Sequence, residues 1–225
     1  MQTIDGLVAI PELDRSNALI ADESEGDRFV MGLLRAAAGA ILIGSATLRS
    51  SPTGTWLPEK AYPAAADAFA ELRRRLGRSA TPEIAVLTAG GSLDVSHPLL
   101  ERGAVILTTS AAAPALRASV PAASEVVAVS DGDRVDPAAA IAALRQRGHS
   151  LVLSEAGPNV FGSMLEAGLV DELFLTVSPL LGGHGSAKRL SLVEGADLLP
   201  GTPVRGRLLS LRRQGEHLFV RYALR

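Results

Sequence analysis

The chain has 225 residues, 47% of them hydrophobic and 20% charged, with a mean hydropathy of +0.24. That is enough apolar material for a sizeable core and the wrong balance for disorder. A formal charge of −2 gives no general pull towards nucleic acid or acidic membranes, aromatic residues at 4% are too few for a base-stacking platform, and the lack of cysteine excludes disulfides, thiolate catalysis and cysteine-based zinc sites.

The first residues, MQTIDGLVAIPELD, carry an acidic residue early and no long apolar run, so they do not read as a secretory signal. Apolar runs such as Ala36–Ile43 are far shorter than a membrane-spanning helix needs, and the expectation is a soluble cytoplasmic protein. The spacing predicts a helix over Ser24–Ala38, with Ser24 and Asp27 in capping register and Gly39 as its stop. Ala40–Gly44 (AILIG) reads as a buried strand. Pro63–Leu76 reads as a helix closed by Gly77, with Arg73, Arg74 and Arg75 in the last turn, where cations suit the helix dipole. Glu83–Thr88, Ala104–Thr108 and Glu125–Val129 are short apolar strands. Asp136–Arg147 is a helix with Asp136 as N-cap and Pro137 at the first position, and Ser150–Ser154 is the next strand. Strands alternating with helices argue for a mostly parallel sheet covered on both faces. The tail differs: Val204–Arg212 and His217–Leu224 alternate with period two around Gln214-Gly215, as an antiparallel hairpin does. No repeat, linker or charge block divides the chain, so one α/β domain with a mixed sheet is expected.

Four strand ends carry candidate ligand loops. After strand 150–154, Gly157 is free in backbone angle and Pro158 suits the first position of a helix that Val160, Met164 and Leu165 would seat on the core. Such a helix start is either ordinary punctuation or a place where N–H groups hold an anion. Glu155 at the same mouth would repel a phosphate unless it faces another part of the ligand. Gly44-Ser45-Ala46-Thr47-Leu48-Arg49 follows strand 40–44 and offers hydroxyls and a guanidinium fork. Thr88-Ala89-Gly90-Gly91 and Thr108-Thr109-Ser110 end two further strands. Together they suggest one cleft along a sheet edge, sized for an extended phosphorylated cofactor. There is no G-x-G-x-x-G, no P-loop and no G-x-S-x-G elbow. His97, His149, His184 and His217 lack metal-ligand spacing and read as surface or loop residues, so no metal site is expected. Trp56, in SPTGTWLPEK, is either a lid or a local anchor for a long connection, the anchor being favoured.

These pieces resemble the riboflavin-biosynthesis pyrimidine reductases, the RibD C-terminal domain of the dihydrofolate-reductase-like superfamily. The residues that carry the likeness are Ile4-Asp5-Gly6 (like S-x-D-G), Ile43 to Arg49 (like G-A-x-T-x-R) and Ser154-Glu155-Ala156-Gly157-Pro158 (like E-G-G-P). Gly168-Leu169-Val170-Asp171-Glu172-Leu173, leading into Ser178-Pro179-Leu180-Leu181-Gly182-Gly183, is like A-G-L-V-D-E-L … P-x-L-L-G-G. The resemblance implies that NADPH delivers hydride to C1′ of the ribosyl group of 5-amino-6-(5-phosphoribosylamino)uracil, a small phosphorylated pyrimidine. By position it implies cofactor contacts from Gly44, Ser45, Thr47 and Arg49. It places Thr88, Ala89, Gly90 and Thr108 on the adenosine-phosphate side, and Gly157, Pro158, Asn159 and Val160 at the pyrophosphate. Asp5 and Glu155 would face substrate and nicotinamide. A carboxyl group kept protonated by partial desolvation can donate the proton that opens the ribose ring, and Asp5 is assigned that role, with Glu155 as orienting partner or alternate acid. The bland alternative for Asp5-Gly6 is a tight turn.

The sequence departs from the family in two places. Met1 stands immediately ahead of Ile4 where the family carries a full strand, so either the start lies upstream, another segment substitutes, or the chain is a degenerate member. Ala156 and Thr3 replace a glycine and a serine. The alternatives are a relative acting on dihydrofolate or another small carbonyl or imine, and a catalytically silent nucleotide-binding homodimer. The zinc deaminase motif needs cysteines and is not in this chain. By analogy with the family, Glu172–Leu181 is expected to form part of a homodimer interface.

Overall fold

The computed structural model describes residues 1–13, 16–90, 93–183 and 185–224; Gly91 and His184, named above, lie outside them. In chain order the elements are α1 (Ser16–Ala21), α2 (Glu25–Ala37), β1 (Ala40–Gly44), α3 (Ser45–Arg49), α4 (Pro58–Ala61) and α5 (Ala66–Arg75). Then come β2 (Glu83–Leu87), α6 (Pro98–Arg102), β3 (Val105–Thr109), α7 (Ala113–Ser119), β4 (Glu125–Ser130) and α8 (Pro137–Gln146). β5 (Val152–Ser154), α9 (Pro158–Glu166), β6 (Glu172–Val177), β7 (Arg207–Gln214) and β8 (His217–Ala223) complete the chain. Its residues divide into two compact units, one of residues 28–157 and one of residues 1–27 with 158–225.

The unit of residues 28–157 is a five-stranded sheet in the order β4-β3-β2-β1-β5, every pairing parallel. β1 sits inside it and all five of its residues are buried. Ile41, Ile43, Ile84, Val86 and Ile106 form one side of the core with Leu48, Leu100 and Leu116, while the intervening Leu42, Ala85 and Leu107 are buried as well. Both faces are covered, which is why these strands read as unbroken apolar runs. Local signals behave as expected: Ser24 Oγ accepts from Asp27 N (3.2 Å), and Asp136 accepts from Ala138 N (2.8 Å). Arg73, in the last turn of α5 as expected, has a further role that spacing does not show: it is buried and donates to the carbonyls of Arg35, Ala36 and Ala38 at the end of α2 and to that of Ser79, at 2.8–3.1 Å. It therefore caps a neighbouring helix whose last carbonyls lack intrahelical donors. Arg74 and Arg75 instead pair with Glu71 on the surface.

In the other unit the predicted hairpin is present as β7 and β8, turning at Gly215 (φ +55). It does not complete a mixed sheet: β8 also pairs antiparallel with β6, giving a separate sheet in the order β6-β8-β7. Period-two alternation identifies strands, but not the strand each one pairs with. Residues 2–4 run parallel beside the end of β6, with Gln2 N donating to Thr176 O, Ser178 N to Gln2 O and Ile4 N to Leu180 O, all within 2.8–2.9 Å. The register places Leu173, Tyr222 and Leu208 in one row and Leu175, Val220 and Leu211 in the next, on a single face of this sheet. None of the six is buried, and Leu208 and Leu211 are more than half exposed.

Candidate functional site

From β1 the chain adds β2, β3 and β4 outwards in one direction, then returns to place β5 on the other side of β1. The order of an open parallel sheet reverses there, and ligands of such sheets bind at the carboxyl ends of the strands flanking the reversal. Gly44 ends β1 with extended backbone (φ −93°, ψ 157°) and caps α3; Ser45 and Thr47 are half-buried and Arg49 is exposed. Across the reversal, Glu155 N donates to Leu42 O (2.9 Å), continuing the β5–β1 ladder by one rung. A Cβ on Gly157 would lie 3.8 Å from Thr47 Oγ1, so the two loops meet.

Both oxygens of Glu155 accept from Arg35, Oε1 from Nε and Oε2 from Nη2, each at 2.7 Å, with side-chain exposures of 11% and 15%. A carboxylate engaged in this fork orients a guanidinium. Further along the sheet edge, Ala89 is exposed and Gly90 half-buried, with Gly90 at φ +125 and donating weakly to Thr88 Oγ1 (3.4 Å). Thr108 is a different matter. Its side chain is fully enclosed and its hydroxyl has no hydrogen-bond partner, so the protein's own packing keeps it from lining an open cleft.

Arg35 also borders a cavity of about 500 Å³ that the sequence did not reveal. Lys60 and Arg102 add two more cations to its wall, and Ser51, Thr53 and Thr55 add hydroxyls; among the described residues no carboxylate lines it. Donors of this kind suit a phosphate or another anion. The wall is assembled from α2, the 51–56 loop, the α4 segment and α6, which only the topology brings together. The hydroxyl-rich run Ser50–Thr55 was its one visible sign in the sequence. Trp56 is buried in the wall and acts as an anchor. It adopts φ +51, and its ring lies against Gly54, where a Cβ would approach Cη2 to 2.7 Å. His97, one of the histidines expected on the surface or in a loop, is in a loop but buried: it is the N-cap of α6, its Nδ1 accepting from Leu99 N (3.1 Å).

Asp5 lies in the other unit and needs a correction. It is exposed; Thr3 Oγ1 donates to its Oδ1, Gly182 N donates to Oδ1 (3.0 Å), and Gly183 N donates to Oδ2 (2.7 Å). Led by the Thr3 hydroxyl, these donors hold the carboxyl well below the usual carboxylate range. A group stabilised as its anion is no store for a proton, so the geometry does not support the acid role. Asp5 instead staples the Thr3–Gly6 turn to the Gly182-Gly183 loop. Gly182 is required there because a Cβ would meet Leu7 Cδ2 at 2.3 Å. Pro158, Asn159 and Val160 form the first turn of α9, with Pro158 O accepting from Glu194 N (3.3 Å). Among the described residues no group of three or more His, Cys, Asp or Glu is placed to hold a metal ion, and no helix is long and apolar enough to cross a membrane.

The sequence profile of the family described as RibD C-terminal domain matches residues 1–220. The chain belongs to that family. Its fold is shared with a pyrimidine reductase-like protein from Corynebacterium diphtheriae, at TM-score 0.78 and 22% identity over 99% of this chain and 88% of that one. It is shared also with RibD of Acinetobacter baumannii (TM-score 0.72, 18% identity, 99% and 55%). A diaminohydroxyphosphoribosylaminopyrimidine deaminase/5-amino-6-(5-phosphoribosylamino)uracil reductase from Thermotoga maritima matches at TM-score 0.71 and 20% identity, over 99% of this chain and 54% of that one. The RibD C-terminal domain chain described here thus spans a little over half the length of the last two. A comparison with curated proteins gives no match.

Proposed function

We propose that this protein is a reductase that takes hydride from NADPH and delivers it to C1′ of the ribosyl group of a phosphorylated aminopyrimidine, as in the reduction of 5-amino-6-(5-phosphoribosylamino)uracil. The observation that carries the proposal is the reversal of strand order between β1 and β5, with Gly44, Ser45, Thr47 and Gly157 at its rim and a cationic cavity joined to it through Arg35. Membership of the RibD C-terminal domain family and the activities named for its structural neighbours support it.

The residues present fit an anionic dinucleotide. Ser45 and Thr47 would offer hydroxyls, Arg49 a cation suited to a 2′-phosphate, and Ala89 and Gly90 backbone at the adenosine side. Gly157 would allow close approach, and in the first turn of α9 the N–H groups of Asn159 and Val160, Pro158 having none, would be offered to the pyrophosphate. When bound, the coenzyme supplies the hydride. Glu155 holds Arg35 at the cavity wall, where the guanidinium, Lys60 and Arg102 would neutralise a substrate phosphate. The proposal extends to a cytoplasmic homodimer, supported by the uncovered apolar rows on the β6-β8-β7 sheet, of which Leu173 and Leu175 belong to the 172–181 segment.

A second reading, a silent nucleotide-binding homodimer, is favoured by one observation: both carboxylates assigned to chemistry are engaged in protein contacts. Fluorescence titration of the purified chain with NADPH and NADH, followed by single-turnover assay with the aminopyrimidine and sedimentation of the same sample, separates the two. Binding with hydride transfer supports the reductase. Binding without turnover of any pyrimidine or pterin supports the silent protein, and affinity for neither coenzyme removes both.

A further inference from the structure

His97 is 1% exposed and both its ring nitrogens are committed. Nδ1 accepts from Leu99 N at 3.1 Å, so that nitrogen carries no hydrogen; Nε2 then carries it and donates to Ser51 O at 2.9 Å. Only this neutral tautomer makes both bonds, because an imidazolium would turn an N–H towards the N–H of Leu99. The ring therefore ties two parts of the chain that are far apart in sequence. One is the Ser51–Trp56 loop. The other is α6, which ends in Arg102.

His97 does not line the cavity, yet what it holds does: Ser51 and Trp56 lie in the wall, and α6 carries Arg102 into it. Trp56 packs beside the imidazole, ring centroids 6.3 Å apart. Its left-handed backbone and its seat over Gly54 make the loop a close-packed piece. A non-glycine residue in that conformation persists only where its surroundings over-determine it.

We propose that His97 is a positioning residue, which fixes the hydroxyl-bearing 51–56 loop against the helix carrying Arg102 and so sets the spacing of hydroxyl and cation donors across the cavity. This rests on the cavity being the anion site of the proposed function.

His97→Asn tests it, because asparagine keeps an N-cap acceptor for α6 but is too short to reach Ser51. Trp56 is the only tryptophan in the chain and reports the loop directly. The expected result for H97N is a red-shifted, more acrylamide-accessible Trp56 emission with unchanged far-UV circular dichroism. Affinity for inorganic pyrophosphate, titrated calorimetrically, should fall by about tenfold, the loss typical of one misplaced hydrogen-bonding group. H97N combined with Arg102→Ala should bind no more weakly than Arg102→Ala alone. His97→Gln, whose amide nitrogen reaches Ser51, should restore much of the wild-type emission. Unchanged emission in H97N overturns the proposal, and so does a shifted emission with unaltered pyrophosphate affinity. If the wild-type protein ignores pyrophosphate, the anion role of the cavity is refuted, while the emission shift still decides whether His97 holds the loop.

Discussion

Glu155→Gln perturbs the Arg35 contact while keeping its shape. The substitution removes the charge from both 2.7 Å contacts and leaves a guanidinium only 15% exposed. Breaking a fully buried pair costs about 3–5 kcal/mol, against about 0.2–1 kcal/mol for a surface pair. With side-chain exposures of 11% and 15% the pair lies nearer the buried limit, and a loss of about 2–3 kcal/mol is expected. Arg35→Met should cost a similar amount. The double variant should cost well under the sum, because the second change removes a charge already orphaned, leaving a coupling of about 2 kcal/mol in urea unfolding. For a chain of this length the single variants should melt about 5–10 °C below wild type. Single-turnover hydride transfer adds a second readout: if Glu155 acts by holding Arg35, the rate losses of the two variants are equally non-additive, whereas a proton-donating Glu155 gives an E155Q defect independent of Arg35. A coupling below about 0.5 kcal/mol, the range of solvated pairs, would refute the reasoning.

Asp5 has a depressed pKa in the fold, so its contribution to stability is complete above the ordinary carboxylate range, near pH 4, and is lost as pH falls below it. The urea midpoints of wild type and Asp5→Asn should therefore differ at neutral pH and converge on acidification from about pH 4 downwards; a gap that persists or widens there contradicts the staple. Arg73→Lys should destabilise by about 2–4 kcal/mol, since one ammonium cannot serve the four carbonyls that Arg73 reaches, and a loss under about 0.5 kcal/mol in urea unfolding would show those contacts to be incidental.

What was legible in the sequence was what local physics determines. AILIG is a strand at Ala40–Gly44 with the predicted bounds, because a strand buried on both faces needs an unbroken apolar run. Ser24 and Asp136 cap the predicted helices because their partners lie two or three residues away. The contacts that were not legible share a different cause. Arg73 caps a helix some 35 residues earlier in the chain, His97 reaches back to Ser51, and Asp5 finds its donors at Gly182 and Gly183. No periodicity carries such partners. Thr108 was placed at the rim because it ends a strand, but burial depends on what packs over that end, which spacing does not encode. The cavity is not legible in the sequence because its cations come one from each of three separate segments.

The division of the chain has a consequence for its birth on the ribosome. Residues 28–157, which hold the complete parallel sheet, are synthesised before β6, β7 and β8. The other unit is built from both ends of the sequence, so Asp5 and the strand-like residues 2–4 must wait, unpaired, until the 176–183 segment is synthesised. A pause in translation once residue 157 has left the ribosome would therefore leave a finished sheet while residues 2–5 still lack their partners, and proteolysis of nascent chains should cut near residues 2–5 well before it touches β1.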